Sequence, residues 1–242
     1  MQTLNIQALL LDMDGTLVDS TAVVCNTWGR FARRHGLNLD DILHGSHGRR
    51  TEETVEQFAP AGLDITGETA RIVAEELEDT QGIIEVPGAL ALLRSLKGKP
   101  WAVVTSASRE LAQRRMKAAG LPLPDLLISA EDVSRGKPAP EGYIKAALCL
   151  GLETWRCLAI EDARAGLDAA HAAGCQVLAV ATTLKAHELK EERWVTDLRQ
   201  LRVEHAADGQ QPWALKIELD AQSLRWPPVP HPPALHRSGT DR

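Results

Sequence analysis

Apolar residues run from Ile6 to Leu11, interrupted only by Gln7, and give way to Asp12-Met13-Asp14-Gly15-Thr16. A short apolar run followed by turn residues reads as a buried strand. From Thr21 to His35 the positions Val23, Val24, Thr27, Trp28, Phe31 and Ala32 recur at helical spacing, with Ser20 as a candidate cap and Gly36 closing the helix. Helical patterns also cover Thr51 to Phe58 and about Thr66 to Thr80, with Pro60 and Gly62 as breakers between them. The stretch His44-Gly45-Ser46-His47-Gly48-Arg49-Arg50 reads as a loop. Residues 19–86 are thus expected to be wholly helical.

After Pro87 the pattern alternates. Helices are predicted over Ala89 to Lys97, Arg109 to Ala119, Glu141 to Leu150 and Ala163 to Ala173. Between them fall apolar strand segments at Trp101 to Thr105, Leu126 to Ser129, Cys157 to Ile160 and Gln176 to Ala181. Strand and helix in alternation, joined by short links, imply parallel strands with right-handed crossovers. The expected fold class is α/β: a doubly wound, Rossmann-like parallel sheet built from residues 1–18 and 87–203, with a helical cap, 19–86, inserted after the first strand. One more helix and a last short strand are expected between Lys185 and Glu204, with Trp194 to Val203 the better candidate for sheet contact. Residues 204–242 form an expected extension, in which Trp213 to Leu219 pairs as an edge strand and the Pro-rich stretch from Trp226 to Pro233 is extended and mobile.

Composition removes whole classes of function. A 242-residue chain that is 44% hydrophobic has the size for a packed core. Its net charge of -6 and pI near 5.8 oppose a general nucleic-acid or anionic-membrane binder, which needs a concentrated basic face. Cys25, Cys149, Cys157 and Cys175 lack close CxxC spacing, and three lie in apolar runs, so reduced core thiols are expected rather than a zinc site. There is no cationic leader followed by a long apolar stretch and no run of about 18 apolar residues, so a cytoplasmic, soluble protein is expected.

The candidate chemistry sits at strand ends. Strand periodicity carried past Leu11 puts Asp12 and Asp14 on one face, where two carboxylates suit a nucleophile and a general acid/base with a divalent cation offsetting their repulsion. Asp, Gly and Thr are also common turn residues, so the motif alone leaves a plain turn open. The strand from Trp101 delivers Thr105 and Ser106, whose hydroxyls and backbone N–H groups suit phosphate oxygens. Gly136-Lys137-Pro138 holds an ammonium in a stiff turn, and Glu161-Asp162 ends the strand from Cys157 with two carboxylates suited to Mg²⁺. In an open α/β sheet such ends converge on one crevice.

In this order, Asp-x-Asp-Gly-Thr, a hydroxyl pair after a strand, Gly-Lys-Pro and Glu-Asp, the chain resembles the haloacid dehalogenase-like superfamily of phosphatases across residues 5–203. Trp101-Ala102-Val103-Val104-Thr105-Ser106, His47-Gly48-Arg49 and the helical insert look like its sugar and polyol phosphatase branch, which includes glycerol-phosphate and 2-deoxyglucose-6-phosphate phosphatases. The resemblance implies a Mg²⁺-dependent phosphatase. In it Asp12 attacks phosphorus to give an aspartyl phosphate, and Asp14 protonates the leaving alcohol and then activates water. Asp12, the backbone carbonyl of Asp14, and Asp162 would bind Mg²⁺, with Glu161 supporting the metal, and Thr105, Ser106 and Lys137 would hold the phosphoryl oxygens. His47, Arg49 and Arg50 are candidates for contact with the organic part of a small sugar or polyol phosphate, or else a solvated loop with an arginine pairing Glu52 or Glu53. A monomer acting on a metabolite, without nucleic acid or membrane, is expected.

Neighbouring chemistries fit less well. Asp14 speaks against dehalogenases, and the absence of any lysine before Lys97 closes a Schiff-base route through the insert. β-Phosphoglucomutases share the core motifs and are the main alternative, but Ser20-Thr21-Ala22-Val23-Val24 lacks the histidine and lysine of their pattern. Phospho-receiver modules are shorter, lack the insert and carry their acidic pair before the phosphorylated aspartate.

Overall fold

The computed structural model describes residues 2–205 and 215–219. The apolar run from Ile6 does not form one strand. At Gln7 it breaks into β1 (Gln2–Ile6) and β2 (Ala8–Leu11), which lie in different sheets. Gln7 donates its backbone N–H to the carbonyl of Arg156 at 2.8 Å, outside either ladder.

Beyond β2 the chain forms a short strand, β3 (Val18–Asp19), then four helices: α1 (Thr21–His35), α2 (Leu39–Ser46), α3 (Thr51–Phe58) and α4 (Ile65–Glu78). It returns through β4 (Ile84–Glu85), which pairs antiparallel with β3. The insert is therefore helical except at its two joints, where this ribbon ties exit to entry. The expected loop from His44 is also shorter: Asn38 caps α2 by accepting from Asp40 N–H, so the helix takes in His44, Gly45 and Ser46 and leaves His47–Arg50 as the connection. Trp28, Phe31, Ile42, Val55 and Ile72 pack as an apolar cluster of their own within the four helices.

The alternating part follows as α5 (Ala89–Ser95), β5 (Trp101–Val104), α6 (Arg109–Ala118), β6 (Leu127–Ile128), α7 (Glu141–Cys149), β7 (Cys157–Glu161), α8 (Arg164–Ala172) and β8 (Gln176–Val180). Among the described residues no α-helix forms after Lys185. The chain makes turns, β9 (Trp194–Val195), a single 3₁₀ turn, β10 (Arg202–His205) and β11 (Leu215–Leu219). Six strands make one parallel sheet in the order β6-β5-β2-β7-β8-β9. Leu9, Leu11, Val103, Leu158 and Ile160 face one apolar core, and Ala8, Leu10, Ala102, Val104 and Ala159 the other, as a sheet covered on both faces requires.

A second sheet has the order β1-β11-β10 and is antiparallel. The segment expected at an edge thus lies between two strands. A chain whose N-terminal strand is already peeled off the main sheet at Gln7 offers β11 a partner on its other side. Trp213 and the Pro-rich tail lie outside the described residues. The four cysteines are free as expected, but only Cys157 is buried, and Cys149 is exposed because it falls on the outer side of α7. No helix among the described residues is long and apolar enough to cross a membrane.

Candidate active site

The strand order reverses at β2, with β5 on one side and β7 on the other. Loops leaving two such neighbours in opposite directions open a crevice beyond the central strand's carboxyl end, and Asp12 is the first residue there. Its side chain is buried, and Lys137 donates from Nζ to its Oδ1 at 2.5 Å. The same ammonium donates to Glu161 Oε1 at 2.6 Å and to the Val104 carbonyl at 3.0 Å. Three donors on one nitrogen are thereby used, and the lysine is fixed between the ends of β2, β5 and β7.

Glu161 also accepts from the Tyr143 hydroxyl of α7, and Asp162 accepts from the hydroxyls of Thr16, at 3.3 Å, and Thr183. Oxygens of Asp12, Glu161 and Asp162 lie within 4.8 Å of one another, in buried surroundings. Three carboxylates then face one ammonium, and the imbalance shows in their acidities. Burial and the charge of Glu161 push Asp12 well above the usual carboxylate range against the pull of Lys137. Burial and Glu161 likewise push Asp162 up to about 7. Burial alone would favour the neutral amine of Lys137, but Asp12 and Glu161 outweigh it and hold the ammonium above its ordinary value. Close-set hard oxygen donors with unbalanced negative charge fit a divalent cation of the Mg²⁺ type.

Two glycines make room for this cluster. Gly15 has φ 83°, and a Cβ there would stand 2.0 Å from Asp162 Oδ2. On α8, a Cβ at Gly166 would stand 2.0 Å from Glu161 Oε1, so the small helix residues after Glu161-Asp162 seat the carboxylates against the helix backbone.

Asp14 lines the same cavity as Asp12, with hydrogen-bond partners of its own. β2 ends at Leu11, so strand alternation does not carry through to Asp14; instead Leu17 and Val18 N–H close a turn on the Met13 carbonyl. Asp14 accepts from Ser20 Oγ at 2.6 Å and from Arg115 Nη1 at 2.9 Å. Ser20 stands at the cap position of α1, yet its hydroxyl serves Asp14 rather than the helix. Arg115 is only 3% exposed, and its Nη2 donates to Glu76 of α4 at 2.8 Å.

The insert roofs the cluster, leaving a cavity of about 260 Å³. Thr105 and Ser106 reach it at the end of β5, where the Thr105 hydroxyl accepts from Ala107 N–H at 3.1 Å. Ser106 Oγ donates to the Gly48 carbonyl at 2.8 Å, tying the β5 end to the insert, while Ser108 is the residue that caps α6. His47 and Arg49 line the cavity; Arg50 does not. Its Nη2 donates to the Val133 carbonyl at 2.6 Å, and Glu53 lies 4.0 Å from its Nε, so it braces the insert against the core.

Sequence reasoning missed Ser20, Arg115, Glu76, Tyr143 and Thr183. Arg115 left a signal: it lies four residues from Leu111 and three from Ala112, on the apolar side of α6, while Arg114 faces solvent. Thr183 left none, because the turn after β8 reaches Asp162 only through the sheet order.

A family profile for haloacid dehalogenase-like hydrolases matches residues 6–174. Hexitol phosphatase A of Escherichia coli is 41% identical over 208 residues, spanning 84% of this chain and 96% of that protein. Glycerol-1-phosphate phosphohydrolase 1 of Saccharomyces cerevisiae is 34% identical over 203 residues, spanning 78% of this chain and 80% of that one. Among solved structures, β-phosphoglucomutase from Clostridium difficile superposes with a TM-score of 0.68 at 22% identity, over 81% of this chain and 93% of that one, a likeness of fold. With the same carboxylates and lysine gathered at the switch point that the motif order anticipates, and with relatives matching along most of both lengths, the chain belongs to the haloacid dehalogenase-like hydrolase family.

Proposed function

We propose that this chain is a phosphatase that hydrolyses small sugar or polyol phosphate monoesters with Mg²⁺ through a phosphorylated Asp12. The observation that carries the reading is Asp12 itself: a buried carboxylate at the switch point, gripped by Lys137, facing a cavity of about 260 Å³ beneath the insert. That volume suits a metabolite rather than a protein substrate. The names of the relatives, a hexitol phosphatase and a glycerol-1-phosphate phosphohydrolase, support a polyol ester.

An Asp12 oxygen attacks phosphorus as the ester P–O bond breaks, and Asp14 gives its proton to the leaving alkoxide. Asp14 then takes a proton from water, which attacks the phosphoryl group, releasing inorganic phosphate and restoring the Asp12 carboxylate. The Thr105 hydroxyl and the backbone N–H of Ser106 hold the phosphoryl oxygens, and Lys137, whose three donors are taken by Asp12, Glu161 and the Val104 carbonyl, adds its positive charge beside them, since this transfer depends mostly on placement and charge neutralisation. Asp12, the Asp14 carbonyl and Asp162 hold the Mg²⁺, with Glu161 behind them orienting Lys137. When bound, the cation neutralises charge on the phosphoryl group. Residues 19–86 act as a cap that excludes bulk water, with His47 and Arg49 toward the alcohol. We further propose that the chain acts as a cytoplasmic monomer on a diffusible metabolite.

Phosphate release from a panel of sugar and polyol phosphates, with Mg²⁺ and with EDTA, tests this. Metal-dependent release concentrated on a few esters is expected; no release, or phosphate moved between positions of a sugar, overturns it.

The acidities give a second expected result: Mg²⁺ raises the thermal midpoint, and raises it more at pH 8 than at pH 5. Asp162 binds its proton in the fold up to about pH 7, against an ordinary value of 3.8, so the metal-free fold loses stability as pH rises through that interval. Mg²⁺ must displace those protons at pH 5 but not at pH 8. At about 100 times its Kd the gain is about 2.7 kcal/mol. Equal shifts at both pH values, read by calorimetry, contradict the assignment.

A further inference from the structure

We infer that Arg115 is a positioning residue for Asp14, and that Glu76 of the insert sets Arg115 in place, so that the insert takes part in orienting the acid/base. This rests on the phosphatase reading of Asp12 and Asp14 and adds to it a group that the motifs do not contain.

Arg115 enters from α6, whose Ala112 and Met116 pack in the apolar core on one face of the sheet, whereas Tyr143, the α7 partner of Glu161, packs on the other. Its side chain is 4% exposed, in a wall of the cavity that also includes Asp14, Thr51 and Glu76. One arm of the guanidinium donates to Asp14 Oδ2 at 2.9 Å and the other to Glu76 Oε1 at 2.8 Å. Glu76 is held in turn by Thr51 Oγ1, which donates to its Oε2 at 3.3 Å. A planar fork presented to two carboxylates fixes the relation between them, which a single ammonium does not do. The carboxylates belong to different layers: Asp14 follows the central strand, whereas Glu76 and Thr51 belong to the helical insert. Arg114 adds a bond from Nη1 to the Leu77 carbonyl at 3.0 Å, so α6 meets α4 at two successive residues. With Ser20 on Oδ1 and Arg115 on Oδ2, both oxygens of Asp14 are oriented, one from the joint of the insert and one from α6. Displacing the insert moves Glu76, frees one arm of Arg115 and loosens its hold on Asp14.

Leaving-group dependence separates this role from mere structural support. An alkoxide needs the proton of Asp14 in order to leave, while p-nitrophenolate leaves without one. The test is rapid-quench phosphorylation of wild type and R115M by the fastest alkyl phosphate of the panel and by p-nitrophenyl phosphate. In R115M, formation of phospho-Asp12 from the alkyl ester is expected to fall about 100-fold, within the range of general acid catalysis, and from the aryl ester by less than about threefold. Steady-state kcat falls with little change in KM, and R115M added to D14N causes no further loss. R115K and E76Q keep the charge or shape of the wall and show the same selectivity with a smaller loss; they decide the matter alone if R115M does not fold. Equal slowing of both esters, no slowing of either, or a further loss in the D14N background overturns the inference. If wild type itself releases no phosphate from either ester, it is the phosphatase reading that has failed, a result distinct from these.

Discussion

Asp12→Asn removes turnover while leaving the fold in place. The amide keeps an oxygen for Lys137 Nζ, now at 2.5 Å from Asp12 Oδ1, but has no anionic oxygen to attack phosphorus. The expected loss in kcat is at least about 10⁴-fold, on the scale of other enzymes whose nucleophile is deleted. Stability does not fall with it, because Asp12 is a carboxylate held against burial and against the charge of Glu161, with its pKa well raised. A neutral group there relieves repulsion above the ordinary carboxylate pKa, where the unfolded chain is ionised and the folded site resists ionisation. The midpoint of D12N in the absence of metal is therefore expected to equal or exceed that of wild type at pH 8. Phosphate release and calorimetry on the same preparation check both halves; retained turnover in a variant of verified mass refutes the nucleophile assignment.

Lys137→Met has the opposite signature, losing activity and stability together. The ammonium is the one cation hydrogen-bonded to Asp12 and Glu161 among the described residues, and it also satisfies the Val104 carbonyl. Its pKa is raised, so its contribution is fully present at all pH values below about 10 and is lost only as pH rises through the folded value. Removing it leaves buried carboxylates without their partner, a change that costs about 3–5 kcal/mol for a broken buried pair. Because the orphaned carboxylates can take up protons in acid, the deficit is expected to be smaller at pH 5 than at pH 8. Turnover is expected to fall about 10³-fold from loss of the positive charge that orients Asp12 and offsets charge at the phosphoryl group. Denaturant melts at the two pH values, with kinetics at each, test this; a uniform stability deficit, or wild-type turnover, contradicts the role given to Lys137.

The two variants diverge because one carboxylate and one ammonium play unequal parts in the same buried cluster. Three carboxylates within 4.8 Å of one another are a liability that only function and a cation explain. Deleting one relieves the site, whereas deleting the cation aggravates it.

Much of this was legible along the chain. Alternating apolar runs and amphipathic helices after Pro87 identify a parallel α/β sheet, because a strand buried on both faces has to be apolar throughout and a crossover helix has to be amphipathic. Asp12, Glu161 and Asp162 were legible too, since each stands at or immediately after a strand end and the carboxyl ends of parallel strands gather in one place, while Lys137 was legible from its Gly-Lys-Pro turn. Tertiary structure alone decided the rest. The break at Gln7, whose N–H is bonded to Arg156 far along the chain, and the place of Leu215–Leu219 between β1 and β10 both involve partners distant in sequence. The partners of Asp14, Ser20 from the joint of the insert and Arg115 from α6, cannot be read from the spacing of the two aspartates. Arg50 braces the core and Arg49 lines the cavity, although both sit in the same short connection. Arg115 and Glu76 read as ordinary surface charges until the insert folds back over the sheet and buries them together. Local pattern determines which residues end up at the sheet's edge, because periodicity and turn chemistry act over a few residues; the partners of a buried charge are settled only by packing between elements far apart in sequence.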